Sequence, residues 1–327
     1  MAKYKIVVTD WAEYDNLDNE RRILAQLGDV EVLDYFCKEE ADILPIVEDC
    51  DALIAQFGKI TSNVIDAMKK CKVICRYGIG TDGTDIPAAT AKNICVCNVN
   101  DYCRDEVSTH AMAFLLDANR RITQTTQRLK GGEWYKLGIE IPSLQESTVG
   151  LISFGRIARA TAEKLRPFCR NIWAVDKYVD DEVMRKEGVE PKSTEEILAG
   201  ADYIIIHAPL TDETFHMFNK EAFKKMKPTA TLINVGRGAI VDTDDLVWAL
   251  ENKEIGYACI DVFEKEPLDK EHPILKMENV SLTPHRAWHS NESQKTLQSA
   301  PADEIVRVLT GKKPVNLVNK ELEKLFD

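Results

Sequence analysis

Long hydrophobic stretches are absent from the sequence, in which no uninterrupted apolar run approaches the ~20 residues of a membrane-spanning helix. Met1–Lys5 leads directly into a short apolar strand pattern that ends at Asp10, so the apolar core of a secretory signal is also missing. We therefore expect no membrane partner, and we predict a cytoplasmic protein.

Paired cysteine motifs are missing as well. The nine cysteines are an odd number, and they occur singly or as Cys71/Cys75 and Cys95/Cys97 rather than in C-x-x-C form. Because no histidine or second cysteine pair completes the ligand spacing of a zinc site, we expect no bound metal. Reduced thiols in the cytoplasm are the simplest interpretation.

Positively charged residues are outnumbered by negatively charged ones. The chain has 42 Lys and Arg against 54 Asp and Glu, and this net charge of -12 repels phosphate backbones and anionic lipid. No basic stripe compensates for it, so we predict that nucleic acid is not a partner. With 44% hydrophobic and 29% charged residues the composition is that of a globular protein, and 327 residues predict two domains at ~150 residues each.

Short β-branched runs alternate with helical patterns along almost the whole chain, which is typical of parallel sheets covered by helices. Five runs in the first third are predicted strands: Lys5–Thr9, Val30–Asp34, Ala52–Gln56, Val73–Arg76 and Ile94–Asn98. A second series contains five more: Val149–Ser153, Ile172–Asp176, Tyr203–His207, Thr231–Asn234 and Ala258–Asp261. We therefore predict the α/β class, with two doubly wound parallel sheets.

The sequence indicates where several helices begin. Thr61 or Ser62 is a suitable N-cap for a helix, Ser193 and Glu196 have the spacing of a capping box, and Asp242 stands where an N-cap belongs. These signals separate the predicted strands with helices.

Two longer helical patterns flank the second series of strands. One extends from about Asp105 to Leu129, and we interpret it as a connection between the domains. The other follows Ser290 and contains Pro301, where we expect a kink or a break because proline lacks the N–H group that a helix needs.

A turn with the character of a phosphate-binding site follows the strand pattern that begins at Val149. Gly155 lets the backbone approach a phosphate at a helix N-terminus, whereas Ser153 and Ala158 stand where glycines are usual. We expect an ordinary φ at Ser153. Asp176 ends the next strand, where a carboxylate binds ribose hydroxyls and repels a 2′-phosphate, which favours NAD over NADP. The alternative is that Asp176 only caps the following turn.

Three side chains have the chemistry that reduction of a carbonyl needs. His285 follows a strand pattern and carries an imidazole, the type of side chain suited to donating a proton to a carbonyl oxygen. Glu266 is a candidate partner for the other ring nitrogen, and Arg237 offers a guanidinium fork to an anionic substrate. Spacing alone leaves open that all three are ordinary structural or surface residues.

Several motifs then occur in one order: His207–Thr214, Met226–Pro228, Ile233–Gly238, Asp261–Pro267 and Thr283–His285. In this order they closely resemble the D-specific 2-hydroxyacid dehydrogenases. That family includes phosphoglycerate dehydrogenase, glyoxylate and hydroxypyruvate reductases, D-lactate dehydrogenase and the C-terminal-binding proteins. The resemblance covers nearly the whole chain.

The resemblance implies an NAD-dependent dehydrogenase that passes a hydride between NADH and a small 2-keto acid, with Arg237, Glu266 and His285 as catalytic residues. It implies a set of cofactor contacts: Gly155, Arg156, Ile157, Asp176, His207, Ala208, Pro209, Val235, Gly236, Arg237, Asp261 and His285. It also implies a set of substrate contacts: Tyr77, Gly78, Ile79, Gly80, Arg237 and Trp288.

The same resemblance implies a discontinuous architecture. Residues 1–100 and 290–327 would form the substrate-binding domain and residues 101–289 the NAD-binding Rossmann domain, with a cleft between them and hinge segments near residues 100 and 290. A homodimer through the central domain is implied as well.

Three stretches look most like the branch of the family that contains the C-terminal-binding proteins and bacterial dehydrogenases: Gln56–Thr61, Asp101–Ser108 and Pro284–Trp288. In that branch Trp288 would favour an apolar or aromatic substrate side chain, although simple core packing is the alternative. Gln56 stands where phosphoglycerate enzymes tend to have arginine, so a phosphorylated substrate is less favoured, while Arg286 and Lys59 keep that substrate open. An NAD(H)-sensing interaction protein is the second alternative, and the presence of the complete trio favours the enzyme.

Overall fold

The computed structural model describes residues 3–11, 16–134 and 141–326. It divides into two compact units, one formed by Met1–Tyr102 with Ser290–Asp327 and the other by Cys103–His289. The functional roles that the sequence assigns to residues 1–100 plus 290–327 and to residues 101–289 stay predictions.

The first unit contains a five-stranded, wholly parallel sheet. Its strands are β1 (Tyr4–Val8), β2 (Val30–Asp34), β3 (Ala52–Ala55), β4 (Val73–Arg76) and β5 (Cys95–Cys97), in the order β2-β1-β3-β4-β5. Its helices are α1 (Asp18–Leu24), α2 (Glu40–Ile43), α3 (Ser62–Ala67), α4 (Ile86–Ala91) and α12 (Asn291–Leu309), with 3₁₀ turns at Ala25–Leu27, Leu44–Ile46 and Lys320–Phe326. This is the flavodoxin-like arrangement of strands.

The second unit contains a seven-stranded parallel sheet in the order β12-β11-β10-β9-β6-β7-β8. Its strands are β6 (Thr148–Ile152), β7 (Asn171–Val175), β8 (Glu190–Pro191), β9 (Tyr203–Ile206), β10 (Thr231–Asn234), β11 (Tyr257–Ile260) and β12 (Val280–Leu282). Its helices are α5 (Arg104–Arg120), α6 (Ile122–Lys130), α7 (Arg156–Leu165), α8 (Asp181–Lys186), α9 (Thr194–Gly200), α10 (Lys220–Phe223) and α11 (Thr243–Glu251), with 3₁₀ turns at Leu144–Glu146, Gly238–Ile240 and Pro273–Lys276.

Strand order in the second unit locates its ligand-binding edge. β6 pairs with β7 on one side and with β9 on the other, so the chain reverses its direction of travel across the sheet at β6. In open parallel sheets a ligand binds outside the carboxyl ends of the strands at this topological switch point. The residues that follow β6 and β9 are therefore the first candidates for a nucleotide site.

The prediction of two parallel α/β domains is confirmed, and the reason is the apolar character of the strands. All four residues of β3 and all four of β9 are buried, as expected for strands covered by helices on both faces. The caps are confirmed as well. Thr61 accepts from the N–H of Val64, Ser193 and Glu196 form a capping box, and Asp242 accepts from the N–H of Asp245.

The interpretation of Asp105–Leu129 as a connection between domains is wrong. The segment forms two helices, α5 and α6, and both lie within the second unit. They are separated at Arg121, whose φ of +54° interrupts the helical geometry. Leu115 on α5 is fully buried, whereas Ile122, which continues the same apolar spacing, is 55% exposed because the interruption changes the direction of the chain.

The expected break at Pro301 is also wrong, since α12 continues through this residue from Asn291 to Leu309. Pro301 lies on a buried face of α12 with Leu297 and Ile305, and burial of this face offsets the hydrogen bond that proline cannot donate.

Within residues 3–11, 16–134 and 141–326, no helix is both long and apolar enough to cross a bilayer. The same part of the chain contains no cluster of three His, Cys, Asp or Glu side chains suited to a metal ion. All nine cysteines lie in it, and each is a free thiol.

Candidate active site

The turn between β6 and α7 has the backbone of a glycine-rich phosphate-binding turn although its first position is Ser153. The expectation of an ordinary φ there is wrong, because Ser153 has a φ of +79°, in the region that favours glycine. Its hydroxyl donates to Asp176 Oδ2 at 3.0 Å, and the N–H of Phe154 donates to the same oxygen at 2.7 Å. These two hydrogen bonds hold the turn in its glycine-like conformation.

The N-terminus of α7 lies directly after this turn. Gly155 is the N-cap, and among the described residues no side chain caps the helix. A Cβ at Gly155 would meet no atom within 4 Å, so the space beside it is open. The helix begins at Arg156 and Ile157, and the amide groups of a first turn attract a pyrophosphate. Ala158 is fully buried, which fits the need for a small residue at this position.

Asp176 has the turn-capping role that was weighed for it, while its contact with a ribose stays a prediction. It accepts from the N–H of Tyr178 at 2.7 Å, which is the turn-capping role, besides holding Ser153 and Phe154. Partial burial raises the pKa of Asp176, but the hydrogen bonds from Phe154, Tyr178 and Ser153 outweigh burial, and the net pKa shift is downward. The carboxylate is therefore ionised at neutral pH, as discrimination against a 2′-phosphate requires.

His207 follows β9 at the other side of the switch point. Its Nε2 atom is buried and has no hydrogen-bond partner among the described residues. Burial lowers the pKa of His207 to about 3, so the ring is neutral at physiological pH. A buried polar atom without a partner is rare in folded proteins and needs a specific cause. Together with the open helix N-terminus and the Asp176 carboxylate, it fits a dinucleotide at this edge of the sheet.

Arg237 is presented by a tight turn after β10. The Asn234 side chain holds the turn from both ends, because its Nδ2 donates to the carbonyl of Arg237 at 3.0 Å and its Oδ1 accepts from the N–H of Gly236 at 3.0 Å. The guanidinium Nη1 of Arg237 donates to the carbonyl of Gly236 at 2.9 Å. Val235 in the same turn is buried.

Two glycines bring this turn against its neighbours. A Cβ at Gly236 would lie 2.9 Å from the carbonyl oxygen of Ala208, which precedes Pro209 in the loop after β9. A Cβ at Gly238 would lie 2.0 Å from the carbonyl carbon of Phe263, closer than any real side chain approaches. Only glycine therefore lets the Arg237 turn reach the loop that follows β11.

Glu266 and His285 form a direct pair. Glu266 Oε2 lies 2.7 Å from His285 Nδ1, and its Oε1 accepts from the N–H of Phe263 at 2.8 Å. Burial raises the pKa of Glu266. The hydrogen bond and charge of His285 lower this pKa, as do the N–H group of Phe263 and the charge of Arg237, and together they outweigh burial, so the net pKa shift is downward. The structure thus brings Arg237, Glu266 and His285 together.

Asp261 anchors the loop that carries His285. Its side chain is 1% exposed, and it accepts from the N–H groups of Arg286 at 2.8 Å and Ala287 at 3.0 Å. Its carbonyl accepts from the N–H of His285 at 2.7 Å. His285 itself has a φ of +53°, a conformation that a non-glycine residue keeps only when its surroundings hold it. The resemblance implies that Asp261 contacts the cofactor, and the sequence carries no sign of this anchoring role.

The glycine loop predicted to bind the substrate carboxylate lies in the first unit, after β4. Gly78 has a φ of +126°, and a Cβ there would lie 2.1 Å from Arg76 Nη1, so the position requires glycine. Ile79 and Gly80 are half-exposed. Tyr77 is 2% exposed, its hydroxyl donates to Glu20 at 2.7 Å and its N–H donates to the carbonyl of Ala55 at 2.9 Å, so a substrate contact by Tyr77 stays a prediction.

Trp288 ends the His285 loop and is 7% exposed. The Arg286 guanidinium lies 5.7 Å from the centre of its ring, and the ring of His289 meets it edge-on at 5.2 Å. The Trp288 ring is therefore packed against neighbouring side chains of its own loop, and a substrate contact by Trp288 stays a prediction.

The Glu266–His285 pair predicts a pH dependence of stability. A carboxyl group whose pKa is lower in the folded chain stabilises that chain above its unfolded pKa, about 4.3 for Glu, and this stabilisation is lost as pH falls through the folded pKa. Glu266→Gln removes the titrating group. We expect chemical denaturation to show a shallower loss of stability below about pH 4.3 in Glu266→Gln than in the wild type. If the free energy of unfolding fell equally steeply with pH in both proteins, the lowered pKa of Glu266 would be contradicted.

Comparison with known proteins finds similarity along most of the chain. The family model described as "D-isomer specific 2-hydroxyacid dehydrogenase, NAD binding domain" matches residues 112–287. The D-3-phosphoglycerate dehydrogenase of Methanocaldococcus jannaschii is 38% identical over 317 residues, which are 96% of this chain, and the chain spans 59% of that relative's length. The glyoxylate reductase of Thermofilum pendens is 37% identical over 291 residues, 87% of this chain and 86% of that protein.

The solved structure of the TT0316 protein from Thermus thermophilus is similar over 96% of this chain and 99% of that one, with 29% identity and a TM-score of 0.85. Both units of the chain therefore have counterparts among known folds.

Proposed function

The chain belongs to the D-isomer specific 2-hydroxyacid dehydrogenase family of NAD-dependent oxidoreductases, and from this premise we propose that it catalyses hydride transfer between NADH and a small 2-keto acid. The observation that carries the proposal is the distance of 2.7 Å between Glu266 Oε2 and His285 Nδ1. The charge of the Arg237 guanidinium acts on this pair, and the same unit contains the phosphate-binding turn between β6 and α7. An imidazole held by a carboxylate is a suitable acid and base for the carbonyl oxygen.

The proton chemistry follows from the hydrogen bonds of His285. Its Nδ1 is engaged by Glu266, so its Nε2 is the nitrogen that faces a substrate. In reduction the protonated ring donates from Nε2 to the oxygen that develops negative charge, and Glu266 stabilises the ring while it is charged. In oxidation the neutral ring accepts the proton from the hydroxyl group. Bound NADH supplies the hydride.

Arg237 supplies the positive charge for the substrate. Its guanidinium is planar and permanently ionised, and it can donate two parallel hydrogen bonds to a carboxylate or polarise the keto oxygen. In the same proposal the backbone N–H groups of Gly78, Ile79 and Gly80 bind the substrate carboxylate, and residues 101–289 form the interface of a homodimer. NAD would lie along Gly155–Ile157, Asp176 and His207.

The class of 2-keto acid has two candidates. We propose a substrate without phosphate, because Gln56 is 6% exposed and uncharged and Arg286 already lies over the Trp288 ring. The name of the glyoxylate reductase relative supports this choice. The similarity to a D-3-phosphoglycerate dehydrogenase favours the second candidate, a phosphorylated hydroxypyruvate, for which the exposed Lys59 is a charge partner.

A panel of keto acids tests the proposal. Glyoxylate, hydroxypyruvate, pyruvate, phenylpyruvate and 3-phosphohydroxypyruvate are offered with NADH and, separately, with NADPH, and the loss of reduced-cofactor absorbance is followed. We expect turnover of at least one unphosphorylated acid with a kcat of about 1–10³ s⁻¹, the usual range for enzymes. Binding of NADH without consumption of any keto acid would instead support the NAD(H)-sensing interaction protein and contradict the proposal.

A further inference from the structure

The loop that carries His285 is held by backbone hydrogen bonds from Thr283 to Ile260 and from His285 to Asp261, and in addition by the side-chain carboxylate of Asp261. Besides the N–H groups of Arg286 and Ala287, Asp261 accepts from the hydroxyl of Thr283, whose Oγ1 lies 2.5 Å from its Oδ1. Thr283 stands two residues before His285. The position of the Thr283 side chain is thus linked to the position of His285, the proposed acid.

His110 completes this link from a separate element. It lies on α5, and its Nε2 is 3.0 Å from Thr283 Oγ1 and 3.9 Å from Asp261 Oδ1. A threonine hydroxyl has one proton. Because Thr283 gives that proton to Asp261, His110 Nε2 must be the donor in the remaining bond. The order of donation is therefore His110 to Thr283 to Asp261.

The surroundings of His110 favour this neutral donor. The side chain is 22% exposed, and its ring meets that of Phe114 edge-on at 4.5 Å. Burial lowers the pKa of His110, and the charge of Asp261 opposes burial without overcoming it, so the net pKa shift is downward. A neutral ring with its proton on Nε2 donates one hydrogen bond and adds no positive charge beside His285.

We propose that His110 is a positioning residue for the reaction: through Thr283 and Asp261 it holds the His285 loop in the strained conformation that directs His285 Nδ1 to Glu266. This inference rests on the proposed function and extends it to a residue outside the catalytic trio. Its physical basis is that His285 has a φ of +53° and needs neighbours that fix it. Removal of the His110 donor leaves the Thr283 hydroxyl held by Asp261 alone, which weakens the anchor.

Two single variants and their combination test the proposal. His110→Phe keeps an aromatic ring and removes the N–H group, and Thr283→Val keeps the shape of the side chain and removes the hydroxyl. We expect each to lower kcat by about 10-fold or more, since small misplacements of a reacting group are costly. The double variant should lose no more than the worse single variant, because both break one chain of hydrogen bonds. Losses that multiply would overturn the proposal.

A conservative variant and a spectroscopic measurement separate positioning from simple packing. His110→Gln restores a donor near Nε2, so it should recover most of the rate and the wild-type pH profile of kcat/KM. Ring-nitrogen NMR should show a displaced titration midpoint for His285 in His110→Phe, with the signal assigned from its loss in His285→Gln. A titration identical to that of the wild type, or a rate in His110→Gln as low as in His110→Phe, would overturn the proposal.

The NMR titration of His285 needs no substrate. If the wild-type protein turned over no keto acid, the proposed function would fail, while a displaced His285 titration would still support the positioning role.

Discussion

Replacement of His285 by glutamine is expected to lower kcat by about 10²–10⁴-fold, the usual contribution of a positioned acid or base. Glutamine keeps a polar side chain of similar reach but cannot hold a transferable proton near neutral pH. The turn around Gly155 and the helix N-terminus are unaffected, so the Kd for NADH should stay within about two-fold of the wild-type value.

The measurement is the steady-state rate with the best keto acid of the panel, together with a fluorescence titration of NADH. His272→Gln is the matched control, because His272 lies in the same unit and its ring accepts a local hydrogen bond from the N–H of Ile274. We expect the control to retain the wild-type rate. Undiminished turnover in His285→Gln would remove His285 from its proposed role.

Replacement of Gly238 by alanine is expected to have the largest effect on stability. The added Cβ would lie 2.0 Å from both the carbonyl carbon and oxygen of Phe263 and 2.5 Å from the nitrogen of Glu264. These are backbone atoms, so the loop must move. We expect a loss of about 3 kcal/mol in the free energy of unfolding, at the upper end for overpacking.

The same displacement separates Arg237 from Glu266, so kcat/KM should fall by about 100-fold in the protein that remains folded. Thermal unfolding and steady-state kinetics check the two parts. Gly83→Ala is the control, because a Cβ at Gly83 would meet only the carbonyl oxygen of Gly58 at 3.9 Å, an ordinary contact. A Gly238→Ala protein as stable as this control would contradict the close approach of the two loops.

Much of the fold could be predicted from the sequence because its strands are short, apolar and bounded by turn residues. Val30–Asp34 and Thr231–Asn234 coincide with the structure. The strand Glu190–Pro191 was missed, since two residues are too short to show a pattern, and Val280–Leu282 was recognised only as a strand pattern without bounds before His285. The interruption at Arg121 was missed because a single left-handed residue leaves the apolar spacing intact.

The candidate site was harder to predict. The local sequence around Arg237, Glu266 and His285 does not distinguish them from ordinary polar residues, and only the resemblance to a family singled them out. Their convergence depends on the parallel sheet, which brings the ends of distant strands to one edge.

Supporting residues left even less signal. His110 is one histidine in an amphipathic helix, and its bond to Thr283 spans 173 positions of the chain. In the sequence Asp261 is an acid at the end of a strand. Its neighbours do not indicate that Thr283, Arg286 and Ala287 donate hydrogen bonds to its carboxylate. Ser153 departs from the glycine pattern, and only the structure shows that Asp176 compensates for the departure.

The proposed function requires the Glu266–His285 pair and Arg237 to surround the carbonyl group of a 2-keto acid in the NAD-binding unit. This arrangement can be checked in a crystal structure of the complex with NAD and oxamate, an unreactive analogue of a 2-keto acid. We predict His285 Nε2 and the Arg237 guanidinium within about 3.2 Å of oxamate oxygens, the limit for ordinary hydrogen bonds. Oxamate bound away from both side chains, with NAD in place at Gly155, would contradict this arrangement.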